Sequence, residues 1–160
     1  MKEERKTINP KADVIIASKY VKPCDLKILP KDFQGNILIY GSLVIEDEDT
    51  IKFDNLYAKR LISNGPKVNI IGNIYIENDI DVFDIKVNGS VYCGENFNSA
   101  QVVISEDFTV DGDVDANYHS IIVGGDFVCG KSIENVEALK VLGKLKVDVL
   151  MKDITGICIG

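Results

Sequence analysis

A hydrophobic residue returns about every six positions along most of this chain. It runs through Leu56, Ile62, Val68, Ile74, Ile80, Ile85, Val91, Phe97, Val102 and Phe108. With one lengthened step it continues through Val114, Ile121, Phe127, Ile133, Leu139, Leu145, Met151 and Ile157. This spacing matches neither the period of an α-helix nor the alternation of one long strand. It fits a chain that turns a corner after each short strand, so that three strands make a coil of about eighteen residues. The expectation is an all-β, single-stranded parallel β-helix (a β-solenoid) of about seven coils.

Placed side by side, the coils repeat three sides. The first reads Val68-Asn-Ile70-Ile-Gly72, Ile85-Lys-Val87-Asn-Gly89, Val102-Val-Ile104, Ile121-Ile-Val123 and Leu139-Lys-Val141. The second reads Ile74-x-Ile76, Val91-x-Cys93, Phe108-x-Val110, Phe127-x-Cys129 and Leu145-x-Val147. On the third, Ile80, Phe97, Val114, Ile133 and Met151 lead, but the next inward slot holds Ser99, Ala116, Asn135 and Asp153. These are expected to form a corner, with Asn135 and Asp153 reaching backbone groups or solvent. Alternate side chains of a strand share a face, so like stacks on like and Phe108 should lie against Phe127 in the core.

The N-terminal third is less regular. Ile37-x-Ile39-x-Gly41 and Leu43-x-Ile45 look like one more copy of the first and second sides, with Ile51-x-Phe53 closing that coil after an acidic loop at Glu46 to Thr50. Val14, Tyr20 and Leu26 keep the six-step, yet Ala12 to Val21 also reads as a short helix ended by Pro23. The first coil of a solenoid exposes an apolar cross-section and must be capped. Residues 1–30 are therefore expected to be a cap segment and residues 31–160 the solenoid domain.

The apolar-x-apolar-x-Gly-x-apolar-x-apolar repeat, with Gly72-Asn73 and Gly125-Asp126 at its corners, resembles the bactofilin (polymer-forming cytoskeletal) family over Ile37 to Gly160. That resemblance implies a right-handed triangular β-helix acting as a non-enzymatic scaffold that self-assembles without nucleotide.

At 160 residues the chain is long enough for one domain with a sizeable core, and 46% hydrophobic with 27% charged residues is the balance of a folded soluble protein. A formal net charge of −7 argues against nucleic acid or an anionic membrane surface as partner. No apolar run approaches the length of a membrane span, and the charged stretch Met1 to Lys6 does not lead into a signal-type apolar segment. A cytoplasmic protein is the expectation. Cys24, Cys93, Cys129 and Cys158 lack close metal or redox spacing. Cys93 and Cys129 occupy one slot two coils apart, roughly 10 Å and too far for a disulfide, so both read as small buried hydrophobes.

Candidate chemistry is sparse, and no cofactor or metal is called for. His119, the only histidine, lies in the lengthened coil at Asn117-Tyr118-His119-Ser120. Hexapeptide acyltransferases use a lone His as general base, and a solvent-exposed bulge that tolerates His is the plainer account. Asp79, Asp81, Asp113, Asp115 and Glu134 collect along one outward face, where carboxylates on neighbouring coils can share calcium. Asn96 and Asn98 interrupt them, so a solvated face that resists edge pairing fits better. Outward slots of the second side carry Tyr57, Tyr75, Tyr92, Thr109, Val128 and Lys146, and the first side exposes Val103 and Ile122. Tyr57, Tyr75, Tyr92, Val103, Ile122 and Val128 are therefore the candidate binding surface, an apolar and aromatic stripe of the kind that marks contact sites.

The favoured function is a non-catalytic self-associating scaffold. The alternatives are a protein- or glycan-binding module using the tyrosine stripe and an acyltransferase using His119. Homo-oligomers are expected to form through the solenoid side or the C-terminal end, where Ile157-Cys158-Ile159 repeats Leu139-Lys-Val141 and opens a new rung.

Overall fold

Each short strand is too small to bury its own apolar side chains, so it depends on the strand one coil earlier and the strand one coil later. The computed structural model describes residues 12–23, 34–46, 50–65 and 67–160. They form a parallel β-solenoid of about seven turns with about 18 residues between stacked strands, and no α-helix occurs among them. All strand pairings are parallel, and three columns of strands make three faces.

The first face stacks Ile51, Ile70, Val87, Ile104, Val123, Val141 and Ile159 in register. The second stacks Val14, Ile37, Leu56, Ile74, Val91, Phe108, Phe127 and Leu145. The third stacks Val21, Leu43, Leu61, Ile80, Phe97, Val114, Ile133 and Met151. Apart from the terminal rungs these inward residues are buried and form one continuous core. The Phe108 and Phe127 rings stack at 4.6 Å with an interplanar angle of 18°. Phe97, from the third face, meets Phe108 edge-on at 4.8 Å and 71°. An aromatic cluster thus links two faces across the core.

The corners are held by side chains that replace missing ladder bonds. Asn55 Nδ2 donates to Asn36 Oδ1 at 2.7 Å, and Asn73 Nδ2 donates to Asn55 Oδ1 at 3.2 Å. The same corner continues as Ser90 N–H donating to Asn73 Oδ1, Asp126 N–H to Asp107 Oδ1 and Lys144 N–H to Asp126 Oδ1, each within 2.9 Å. Gly89 lies at φ 150°, where a Cβ would sit 2.3 Å from the carbonyl oxygen of Gly72. Only glycine lets the two backbones approach that closely.

Several sequence expectations are corrected. Residues Val14–Ile16 and Tyr20–Val21 are strands paired to Ile37–Ile39 and Ser42–Leu43, so Ala12 to Val21 is not a helix. Residues 1–11 and 24–30 of the expected cap, Cys24 and Leu26 with them, lie outside the described residues, as do 47–49 of the acidic loop. Ile37-x-Ile39 belongs to the second face and Leu43 to the third, one corner later than the glycine pattern predicts. Gly41 misleads because glycines occupy two different corners: a Cβ there would strike the Ser18 carbonyl, as one at Gly94 would strike that of Glu77. Leu61 fills the core slot expected for Ile62, which is half-buried on the outer side. In the lengthened coils Asn117, Tyr118, Asn135 and Asp153 take positive φ. That kink turns Val136 into the core, fully buried, where Asn135 stands in the simple repeat.

Emptying the aromatic cluster should be costly. Phe108→Ala or Phe127→Ala is expected to destabilise the fold by about 3–5 kcal/mol in equilibrium denaturation. A loss below about 1 kcal/mol for both would contradict the inward register.

Candidate functional site

The outward columns are set by the same register as the core. On the second face Tyr57 pairs with Tyr75, Tyr75 with Tyr92, Tyr92 with Thr109, Thr109 with Val128 and Val128 with Lys146. On the first face Val103 pairs with Ile122. The six predicted residues therefore fall in two columns on two adjoining faces, separated by the glycine and asparagine corner. They do not gather in one plane.

The tyrosines are partly engaged already. Tyr57 and Tyr75 stack at 4.9 Å and 11°. Partial burial, and then the neighbouring Tyr75 phenol, push the Tyr57 hydroxyl above the ordinary tyrosine range. Tyr92 donates its hydroxyl to Asp111 Oδ2 at 2.7 Å. All three are half-buried, as are Val103 and Val128, and Ile122 is 37% exposed. This is the geometry of a cross-strand ladder with one tyrosine tied sideways.

Two shallow depressions open on the surface, the first of them beside Val103. One, of about 470 Å³, opens on the first face among Thr50, Asn69, Lys86, Asn88, Val103 and Ser105. The other, of about 270 Å³, is bordered by Asp81, Phe83, Asn98, Asn117 and His119. His119 is exposed on the bulge and its Nδ1 lies 2.8 Å from the Asn117 carbonyl oxygen. A carbonyl can only accept, so Nδ1 is the donor in this contact. Asp81 shares the depression, a neighbour that sequence spacing did not supply. The bulge itself is what the lengthened coil predicted.

The acidic edge is mostly structural. Asp79 Oδ1 accepts the Asn96 N–H at 3.2 Å, Asn96 Oδ1 accepts that of Asp113 at 3.1 Å, and Asp113 Oδ1 accepts that of Ser132 at 3.1 Å. Arg60 also pairs with Asp79 at 2.8 Å. Asp115 accepts from the Asn117 N–H at 2.8 Å and from Asn135 Nδ2 at 3.1 Å. Among the described residues, no three His, Cys, Asp or Glu side chains gather as metal ligands, and no helix is long and apolar enough to cross a membrane.

Cys93 and Cys129 sit in the second-face core, separated by Val110, and Cys158 is exposed. Burial is the main cause that pushes the Cys93 thiol up to about 12, and it raises Cys129 as well. Comparisons with protein-family models, with curated proteins and with solved structures found no match for this chain.

Buried, protonated thiols are inert. Iodoacetamide at pH 8 should modify Cys158 in the native protein and leave Cys93 and Cys129 untouched until denaturation, as read by peptide mass spectrometry. The Cys93 contribution to stability is whole below the ordinary thiol value of 9.0 and is lost as pH climbs toward about 12, because the unfolded chain releases the proton first. Rapid native labelling of Cys93 would contradict its burial.

Proposed function

We propose that this chain is a non-catalytic structural scaffold that self-associates, of the bactofilin-like type its repeat resembles. The observation that carries the reading is the repeat itself: parallel strands stack in register, so outward side chains recur in rows one strand spacing apart, a surface that a second copy can match row by row. The strand at residues 150–159 adds exposed apolar side chains. Leu139 and Val141 are 1% and 0% exposed, whereas Ile157 and Ile159, stacked directly on them, are 54% and 51% exposed. Leu142, Val149 and Leu150 are exposed as well. The strand Leu150–Ile159 pairs along one edge with Ser132–Val141, and no described strand pairs with its other edge.

The lateral surface supports the same reading. The tyrosine column is packed into itself, and His119 is held by its own bulge. Neither arrangement presents a built catalytic constellation, which would hold a nucleophile or a base against an orienting partner.

Ile157→Glu with Ile159→Glu puts two charges on this exposed strand. Self-association measured by light scattering across concentration should weaken at least tenfold, equivalent to about 1.4 kcal/mol, with circular dichroism unchanged. An unaltered oligomer in this variant would reject the rung as the contact. Acyl transfer from acyl-CoA by the native chain, lost on His119→Ala, would overturn the scaffold reading altogether.

A further inference from the structure

Charge is divided between the faces of this solenoid, and the division matches in pitch. The central outward column of the first face runs Lys86, Val103, Ile122, Lys140 on successive strands and holds no carboxylate, although the chain carries a net charge of −7. The outward column of the third face runs Asp81, Asn98, Asp115, Glu134 on successive strands and then reaches Lys152, whose amine pairs with Asp153 at 3.6 Å. Lys86 and Lys140 are thus three strands apart, and so are Asp81 and Glu134, about 14 Å in each case.

None of these four charges is neutralised at home. Among the described residues, the side chains of Lys86, Lys140 and Glu134 make no hydrogen bond or ion pair, and the Asp81 carboxylate accepts only from Asn98 Nδ2 at 3.3 Å. The middle of the acidic column, by contrast, is internally satisfied. Asn98 bonds Asp81 and Asn117, and Asp115 accepts from both Asn117 and Asn135. Covering Asn98 and Asp115 with Val103 and Ile122 leaves the hydrogen bonds these two side chains make within their own copy intact.

We propose that the first face of one copy docks on the third face of a second copy, with Lys86 and Lys140 clamping Asp81 and Glu134. A shared strand spacing brings both ion pairs into register together, whichever way the second axis runs. The contact is heterologous, so each copy keeps one free donor face and one free acceptor face, and association can propagate sideways. This rests on the self-association reading but uses the outward sides of the solenoid, where Lys140 and Glu134 stand on the strand next to Leu150–Ile159, rather than the free edge of that strand.

The test uses the full chain, mixed from unlabelled and ¹⁵N-labelled copies and treated with a zero-length carbodiimide cross-linker. Inter-chain links should join Lys86 or Lys140 to Asp81 or Glu134. They should vanish in Lys86→Glu with Lys140→Glu and in Asp81→Lys with Glu134→Lys. Mixing the two variants should restore association, because each then offers what the other lacks, and circular dichroism should show both folded. The links should survive Ile157→Glu with Ile159→Glu, which separates this contact from the end rung. An oligomer that lacks these links and ignores the charge variants would overturn the lateral contact and leave the end contact standing. A chain that stays monomeric at all concentrations would overturn both. Binding of poly-glutamate to the lysine face without any self-association would also overturn the proposal, in favour of a foreign acidic partner.

Discussion

In-register stacking is the constraint on which everything else in this protein depends. A strand of three or four residues has no stability of its own, and its hydrogen bonds and its inward side chains must both be matched by the strands above and below. The two requirements share one register, since a slip of one residue would turn every inward side chain outward. Phe108 on Phe127, Ile74 on Val91 and Val123 on Val141 therefore fix the backbone pairing as much as the pairing fixes them. The outward columns inherit that register, so tyrosines, lysines and carboxylates come out in rows one strand spacing apart.

Stacking also explains how the chain tolerates unequal coils. Extra residues cannot enter a face without breaking its column, so they are expelled to a corner. The kinks at Asn117, Tyr118, Asn135 and Asp153 do this with left-handed backbone, a conformation that Asn and Asp accept more readily than most residues. Successive long coils place their kinks near one another. Val136 and Ile154 pair beneath that corner and close the core beside it. His119 is carried outward by the same kink, which accounts for its exposure without invoking chemistry.

Much of the fold was legible in the sequence because the inward slots are filled by β-branched and aromatic residues at a fixed step. The first and second faces from Val68 onward, the Phe108–Phe127 stack and the corner role of Asn135 all follow from that pattern. What misled was local ambiguity that only stacking resolves. Leu61 and Ile62 are adjacent and equally apolar, so periodicity alone cannot say which one faces in. Gly41 resembles the Gly72 corner, yet glycine is required wherever two chains approach closely, and two corners meet that condition. Val136 was invisible because the kink that buries it is a backbone event. The candidate site was legible only as columns. Sequence placed the tyrosines in one row, but not the stacking of Tyr57 on Tyr75, the turn of Tyr92 toward Asp111, or the corner that divides Val103 and Ile122 from them.

Amide hydrogen exchange, followed residue by residue at low and at high protein concentration, addresses the central claim most directly. If stability comes from stacking and the exposed strand Leu150–Ile159 takes part in self-association, amides between Val91 and Val123 should be the slowest at both concentrations. Those in Leu150–Ile159 should exchange quickly when dilute and become protected when concentrated. Equal protection of Leu150–Ile159 at both concentrations, or uniform exchange along the axis, would contradict the account.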